Sequence, residues 1–162
     1  MRRLSLKFLA LVGLALLAGC GFQLRGQSPL PFASAYVEAG SGSVVAGLLR
    51  NHLKLQNKLA EQRDKAEVVI RLTGDNREKS ILSLSGAGKV REYRLIHKIT
   101  VAAVDAEGRE MLAPSDIKLN RDYSYSDEQI LAKEAEEALL RKDMDDDTLR
   151  QILRRLAFVR KQ

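Results

Sequence analysis

The side chains able to do chemistry are few: one cysteine, two histidines and a short run of carboxylates. Neither His52 nor His97 has a Cys or an acidic residue at a spacing that holds a metal, so both read as structural histidines. Asp143, Asp145, Asp146 and Asp147 could in principle bind a cation or move protons. They lack the glycine-containing spacing of a calcium loop, and the run reads as a solvated turn or an exposed helix face. No serine sits in a Gly-x-Ser-x-Gly elbow. The chain therefore presents no catalytic constellation and no metal site, and a non-enzymatic protein is expected. The remaining chemistry is cationic. Lys89, Arg91 and Arg94 follow the Gly-rich segment Ser85-Gly86-Ala87-Gly88, and Lys133 stands near the start of the last helical segment. Bases at a hairpin tip suit phosphate or carboxylate groups on an anionic ligand.

Cys20 has a different context. Arg2, Arg3 and Lys7 make a positive start, Phe8 to Leu17 is apolar, and Ala18-Gly19 are small. This is the layout of an export signal, with an apolar stretch too short to span a bilayer as a helix. Leu17-Ala18-Gly19-Cys20 resembles a bacterial lipobox. The resemblance implies cleavage before Cys20, a diacylglyceryl thioether on its sulfur and an acylated amine. Two or more acyl chains hold a protein stably on a membrane where one does not. Gly21, rather than Asp, after the cysteine favours sorting to the outer membrane. The formal net charge of +6 includes Arg2, Arg3 and Lys7. The mature chain is thus near +3, which argues against a nucleic-acid partner.

The elements that would position these residues follow from periodicity. Residues 1–19 are expected as signal, 20–34 as a lipidated tether, and 35–162 as one domain. Ala35 to Ala39 is a strand, and Ser43 caps a helix expected to reach Ala60, with Arg50, Lys54 and Lys58 as a solvated basic row. Glu67 to Leu84 is a strand interrupted by the polar Gly74 to Ser80, where a bulge or break is expected. Lys89 to Asp105 is the clearest strand, with Tyr93, Leu95, His97, Ile99, Val101 and Ala103 on one face. Asp116 to Tyr125 follows across the turn at Ala106 to Arg109. A helix from about Glu128 to Val159 closes the chain, with Leu131, Ala135, Leu139, Met144, Ile152 and Leu156 as its apolar positions. The order β-α-β-β-β-α gives an α+β two-layer sandwich, a mixed four-stranded sheet with two helices on one face.

Cys20-Gly21-Phe22-Gln23-Leu24-Arg25-Gly26 resembles the opening of mature LPS-assembly lipoproteins of the LptE family, with Gln23 where the family often has His. Glu92-Tyr93, Leu131-Ala132-Lys133 and the closing run Arg150 to Leu156 continue the resemblance over nearly the whole mature chain. It implies an outer-membrane lipoprotein that plugs the LptD β-barrel, assists its assembly and helps deliver lipopolysaccharide to the outer leaflet, without a cofactor. It also implies basic residues for lipopolysaccharide near the hairpin whose tip is Gly86-Ala87-Gly88 and near the start of the last helix. Here these are Lys89, Arg91 and Lys133, each expected to be exposed. The alternative is a lipid-anchored periplasmic binding or scaffold module of another outer-membrane assembly machine.

Overall fold

The computed structural model describes residues 29–159; Cys20 and the proposed signal lie outside them. The elements run β1 (Ala35–Ala39), α1 (Val44–Leu55), β2 (Val68–Leu84), β3 (Val90–Asp105), β4 (Glu110–Ser124) and α2 (Ile130–Leu156). The sheet order is β1-β2-β3-β4, with β1 parallel to β2 and the other neighbours antiparallel. The α+β sandwich expected from the sequence is the fold observed.

The strict alternation in β3 explains the layering. Leu95, His97, Ile99, Val101, Ala103 and Asp105 are buried, and the residues between them are not. Ile99, Val101 and Ala103 share a core with Val45, Leu49 and Leu53 of α1 and Ile152 and Leu156 of α2, these helix residues with no exposed surface, and Leu95 packs with Tyr123 and Met144 in a second cluster. Each such Leu or Ile contributes about 1.5–3 kcal/mol of transfer free energy. The packing begins upstream of β1, since Leu30 and Phe32 belong to the same core.

α1 ends five residues sooner than the periodicity predicts. Ser43 caps its start through a bond from the Ala46 N–H. At its end Asn57 takes φ of 55°, a left-handed conformation that stops the helix. The chain then turns so that Ala35 N–H donates to the Lys58 carbonyl at 2.8 Å. The expected basic row does not form. Arg50 donates to the Val37 carbonyl at 3.0 Å, and the Lys58 ammonium donates to the carbonyls of Leu30 and Phe32. Only Lys54 of the three is left to solvent.

In β2 the ladder slips between Thr73 and Asn76, at the start of the expected interruption, and pairs regularly from Asn76 to Ile81. Gly74 makes the slip possible: its φ is +63°, which side-chain-bearing residues rarely adopt. The extra residues turn Asp75 and Arg77 toward the helix layer. β4 begins at Glu110, six residues before the expected start, because Pro114 lies on an edge strand where its missing N–H costs no ladder bond.

Candidate functional site

The end of the sheet opposite the point where the chain enters the domain carries the cationic residues. Here β2 and β3 close in the turn Ser85 to Lys89, held by Gly88 N–H to Ser85 O at 2.9 Å and Ser85 N–H to Lys89 O at 2.7 Å. Lys89 projects from this tip, 75% exposed, with Asp127 3.7 Å away. The Arg91 side chain is exposed and has no ion-pair or hydrogen-bond partner among the described residues. It lines an open groove of about 580 Å³ together with Ser83, Leu84, Glu92, Ser124 and Tyr125. Ile81, Leu82 and Leu84 of β2 and Ile130 and Leu131 at the start of α2 are exposed at the same end. An unpaired Arg91 and an exposed Lys89 beside uncovered apolar side chains suit an amphiphile whose headgroup is anionic.

Lys133 differs from the other two. Its side chain is only 15% exposed, and its ammonium bridges Ser124 Oγ at 3.0 Å and Glu136 at 2.8 Å. It ties the start of α2 to the end of β4 within the same end of the molecule, so the expectation of a free surface lysine is corrected. Packing explains the difference, because α2 lies over β4 at this point and closes around the lysine stem.

The tip is braced by a polar cluster under α2. Glu137 accepts from Lys79 and from the Tyr123 hydroxyl at 2.6 Å each, and from Arg141. Burial opposes the Glu137 charge, but the bonds from Lys79, Tyr123 and Arg141 prevail and hold its pKa down at about 2. Burial likewise opposes the Lys79 charge, and Glu137 and Tyr123 raise its pKa to about 12. The Lys79 ammonium also lies 4.1 Å from the Tyr93 ring centroid, and Tyr93 stacks near Tyr123 and meets Tyr125 edge-on.

A second buried network sits mid-sheet. His97, 3% exposed, places Nε2 2.8 Å from Asp75 Oδ1 and Nδ1 3.3 Å from Thr148 Oγ1. Ser43, the cap of α1, donates to the other oxygen of Asp75 at 2.6 Å. Asp145 of α2 lies 2.8 Å from Arg77 Nη2. That nitrogen is close enough for charge pairing but off the line of a hydrogen bond, and it is the one buried side-chain nitrogen without such a partner among the described residues. Burial would raise the Asp75 pKa, yet the bonds from Ser43 and His97 and the charges of His97 and Arg77 lower it. For Asp145 burial wins and the pKa is raised, against the pull of Arg77 and His97. The adjoining cavity, about 10 Å³, is too small for a ligand. This cluster joins α1, β2, β3 and α2 rather than serving a substrate.

The carboxylate run therefore does not form a solvated turn. Asp145 points into the core, and Asp143 and Asp147 hold Arg121 of β4. The stretch is continuous helix. Conversely Leu131 and Leu139 are 82% and 69% exposed, and Ala135 is exposed as well, so the first half of α2 does not bury the stripe the period predicted. Sequence reasoning missed Lys79, Tyr123 and Glu137, whose partnership spans distant segments and leaves no local signal. Cys20 lies outside the described residues.

The sequence model of one family, described as LptE, Lipopolysaccharide-assembly, matches residues 30–156. An LPS-assembly lipoprotein LptE from Photorhabdus laumondii is 28% identical over 155 residues, covering 92% of this chain and 84% of that protein. One from Yersinia enterocolitica is 30% identical, covering 92% of this chain and 74% of that protein. The solution structure of an uncharacterized lipoprotein B from Nitrosomonas europaea superposes with a TM-score of 0.74 at 38% identity, over 85% of this chain and 90% of that one.

Proposed function

The chain belongs to the LptE lipopolysaccharide-assembly family, and from that premise we propose that it is an outer-membrane subunit that plugs the LptD β-barrel, assists its assembly and helps pass lipopolysaccharide to the outer leaflet. It is a membrane-associated lipoprotein of lipopolysaccharide assembly and not an enzyme. The finer reading adds three things: acyl chains on Cys20 as the anchor, the barrel as the partner, and the hairpin end as the lipid contact.

The observation that carries the reading is the family match, which runs from Leu30 to Leu156 and so takes in every strand and helix of the fold. The hairpin end supports it with chemistry. Arg91 is unpaired among the described residues, Lys89 is exposed, and Leu82 and Leu84 lie uncovered beside them. Lipopolysaccharide offers phosphates to the bases and acyl chains to the apolar residues. Arg91 is the main contact in this reading. Lys89 adds long-range attraction, and Lys133 sets the position of α2 at the groove. A polar domain surface is also what the polar interior of an outer-membrane barrel accepts.

Capture of the full-length protein from detergent-solubilised outer membranes tests the partner. A β-barrel of the LptD kind should copurify, and depletion should lower lipopolysaccharide at the cell surface. Recovery only as a free monomer, with normal surface lipopolysaccharide after depletion, would overturn the proposal.

A further inference from the structure

The opposite end of the molecule carries a second uncovered patch. α1 and α2 both finish there, beside the point where the chain enters the domain: Lys58 after α1 binds the Leu30 and Phe32 carbonyls, and Leu156 and Val159 share a core with Leu30, Phe32 and Leu53. At this end two large apolar side chains stand in solvent, Leu55 at 85% exposure and Phe158 at 81%. Phe158 borders an open groove of about 280 Å³ with Gln151, Arg154 and Arg155. Arg154 lies beside Phe158, Lys54 precedes Leu55, and Lys65 is exposed before β2; none has an ionic partner among the described residues, and Arg160 and Lys161 follow in the sequence. Glu61 and Asp64 are exposed at this end too, so the patch is mixed with a basic excess.

The covering partner follows from the chain itself. Leu30 lies ten residues along the chain from Cys20, a reach of at most about 35 Å. An acyl group on Cys20 would therefore keep this end, and not the hairpin end, next to the bilayer. A protruding Phe and Leu with a basic excess beside them is a composition that inserts at the level of phospholipid headgroups.

We infer that Leu55 and Phe158, with Lys54 and Arg154, form a docking surface for a phospholipid bilayer, used by the lipoprotein when it is not enclosed by a barrel. The inference rests on the acyl anchor at Cys20. Docking turns the β2–β3 hairpin away from the lipid surface and leaves Arg91 free to meet its ligand.

The chain has no Trp, which makes a single introduced one a clean reporter. Leu55→Trp, Phe158→Trp and, as control, Leu131→Trp would be purified as the acylated full protein and reconstituted in phosphatidylethanolamine–phosphatidylglycerol vesicles. At positions 55 and 158 the emission should shift to the blue and lose intensity to brominated acyl chains, while position 131 stays water-like. Adding Arg154→Glu and Lys54→Glu should weaken the quenching without loss of flotation. Water-like emission at 55 and 158 in protein that floats with the vesicles would overturn the docking surface and leave the anchor standing. Protein that fails to float would overturn the anchor and the docking surface together.

Discussion

Replacing Glu137 by Gln tests the brace that holds α2 over the hairpin end. The carboxylate is 17% exposed and takes bonds from Lys79, Tyr123 and Arg141. Lowering its pKa from 4.5 to about 2 corresponds to about 3 kcal/mol of preference for the charged form in the folded state. The amide keeps an acceptor for Tyr123, so the expected loss at pH 7 is about 2–3 kcal/mol. The sign of the pH dependence is fixed. A carboxylate whose pKa falls on folding contributes fully above its unfolded value near 4.5. That contribution is lost as pH falls through about 2. Urea unfolding followed by circular dichroism at pH 7, 4 and 2.5 should thus show a gap between parent and Glu137→Gln that narrows with acid. A gap under about 0.5 kcal/mol at pH 7, or one independent of pH, would refute the reasoning that the ion pairs and not the shape of the side chain hold the helix.

Other perturbations separate the remaining parts. Arg77→Met should cost about 3 kcal/mol at pH 7, because Asp145 is left as a buried charge without its cation; thermal unfolding should show part of the loss recovered on acidification, since burial already raises the Asp145 pKa. Lys118 lies directly opposite Lys98 across β3 and β4, so Lys118→Glu should stabilise the domain by about 0.5 kcal/mol, read as a higher unfolding midpoint. Arg91→Glu should weaken lipopolysaccharide binding with no change in unfolding midpoint. Lys133→Glu should lower that midpoint by roughly 1 kcal/mol equivalent, because it breaks the bridge to Ser124 and sets a carboxylate against Glu136.

Much of the fold is legible from local pattern. The alternation in β3 marks its buried face residue by residue, Ser43 announces α1, and Gly74 announces the slip in β2. What is not legible depends on partners far apart in the chain. Lys58 falls in helical register with Arg50 and Lys54, yet its ammonium is drawn to carbonyls 26 and 28 residues upstream. Asp145 looks like one more surface acid until Arg77 and His97 are placed beneath it. Leu131 and Leu139 carry the helical period but overhang the sheet, where nothing among the described residues covers them. At the candidate site Arg91 and Lys89 are found where the hairpin predicts them. Lys133 is at the start of α2 but engaged by Ser124 and Glu136, because no sequence rule tells a lysine on a helix that a neighbouring strand ends at a serine.

The proposed role requires the β2–β3 hairpin end to meet lipopolysaccharide while the domain is held in its barrel. The most direct measurement is photo-crosslinking in growing cells from a reactive residue in place of Arg91. An adduct containing lipopolysaccharide, retained in the barrel complex, is expected. An adduct from position 139 but none from position 91 would contradict it.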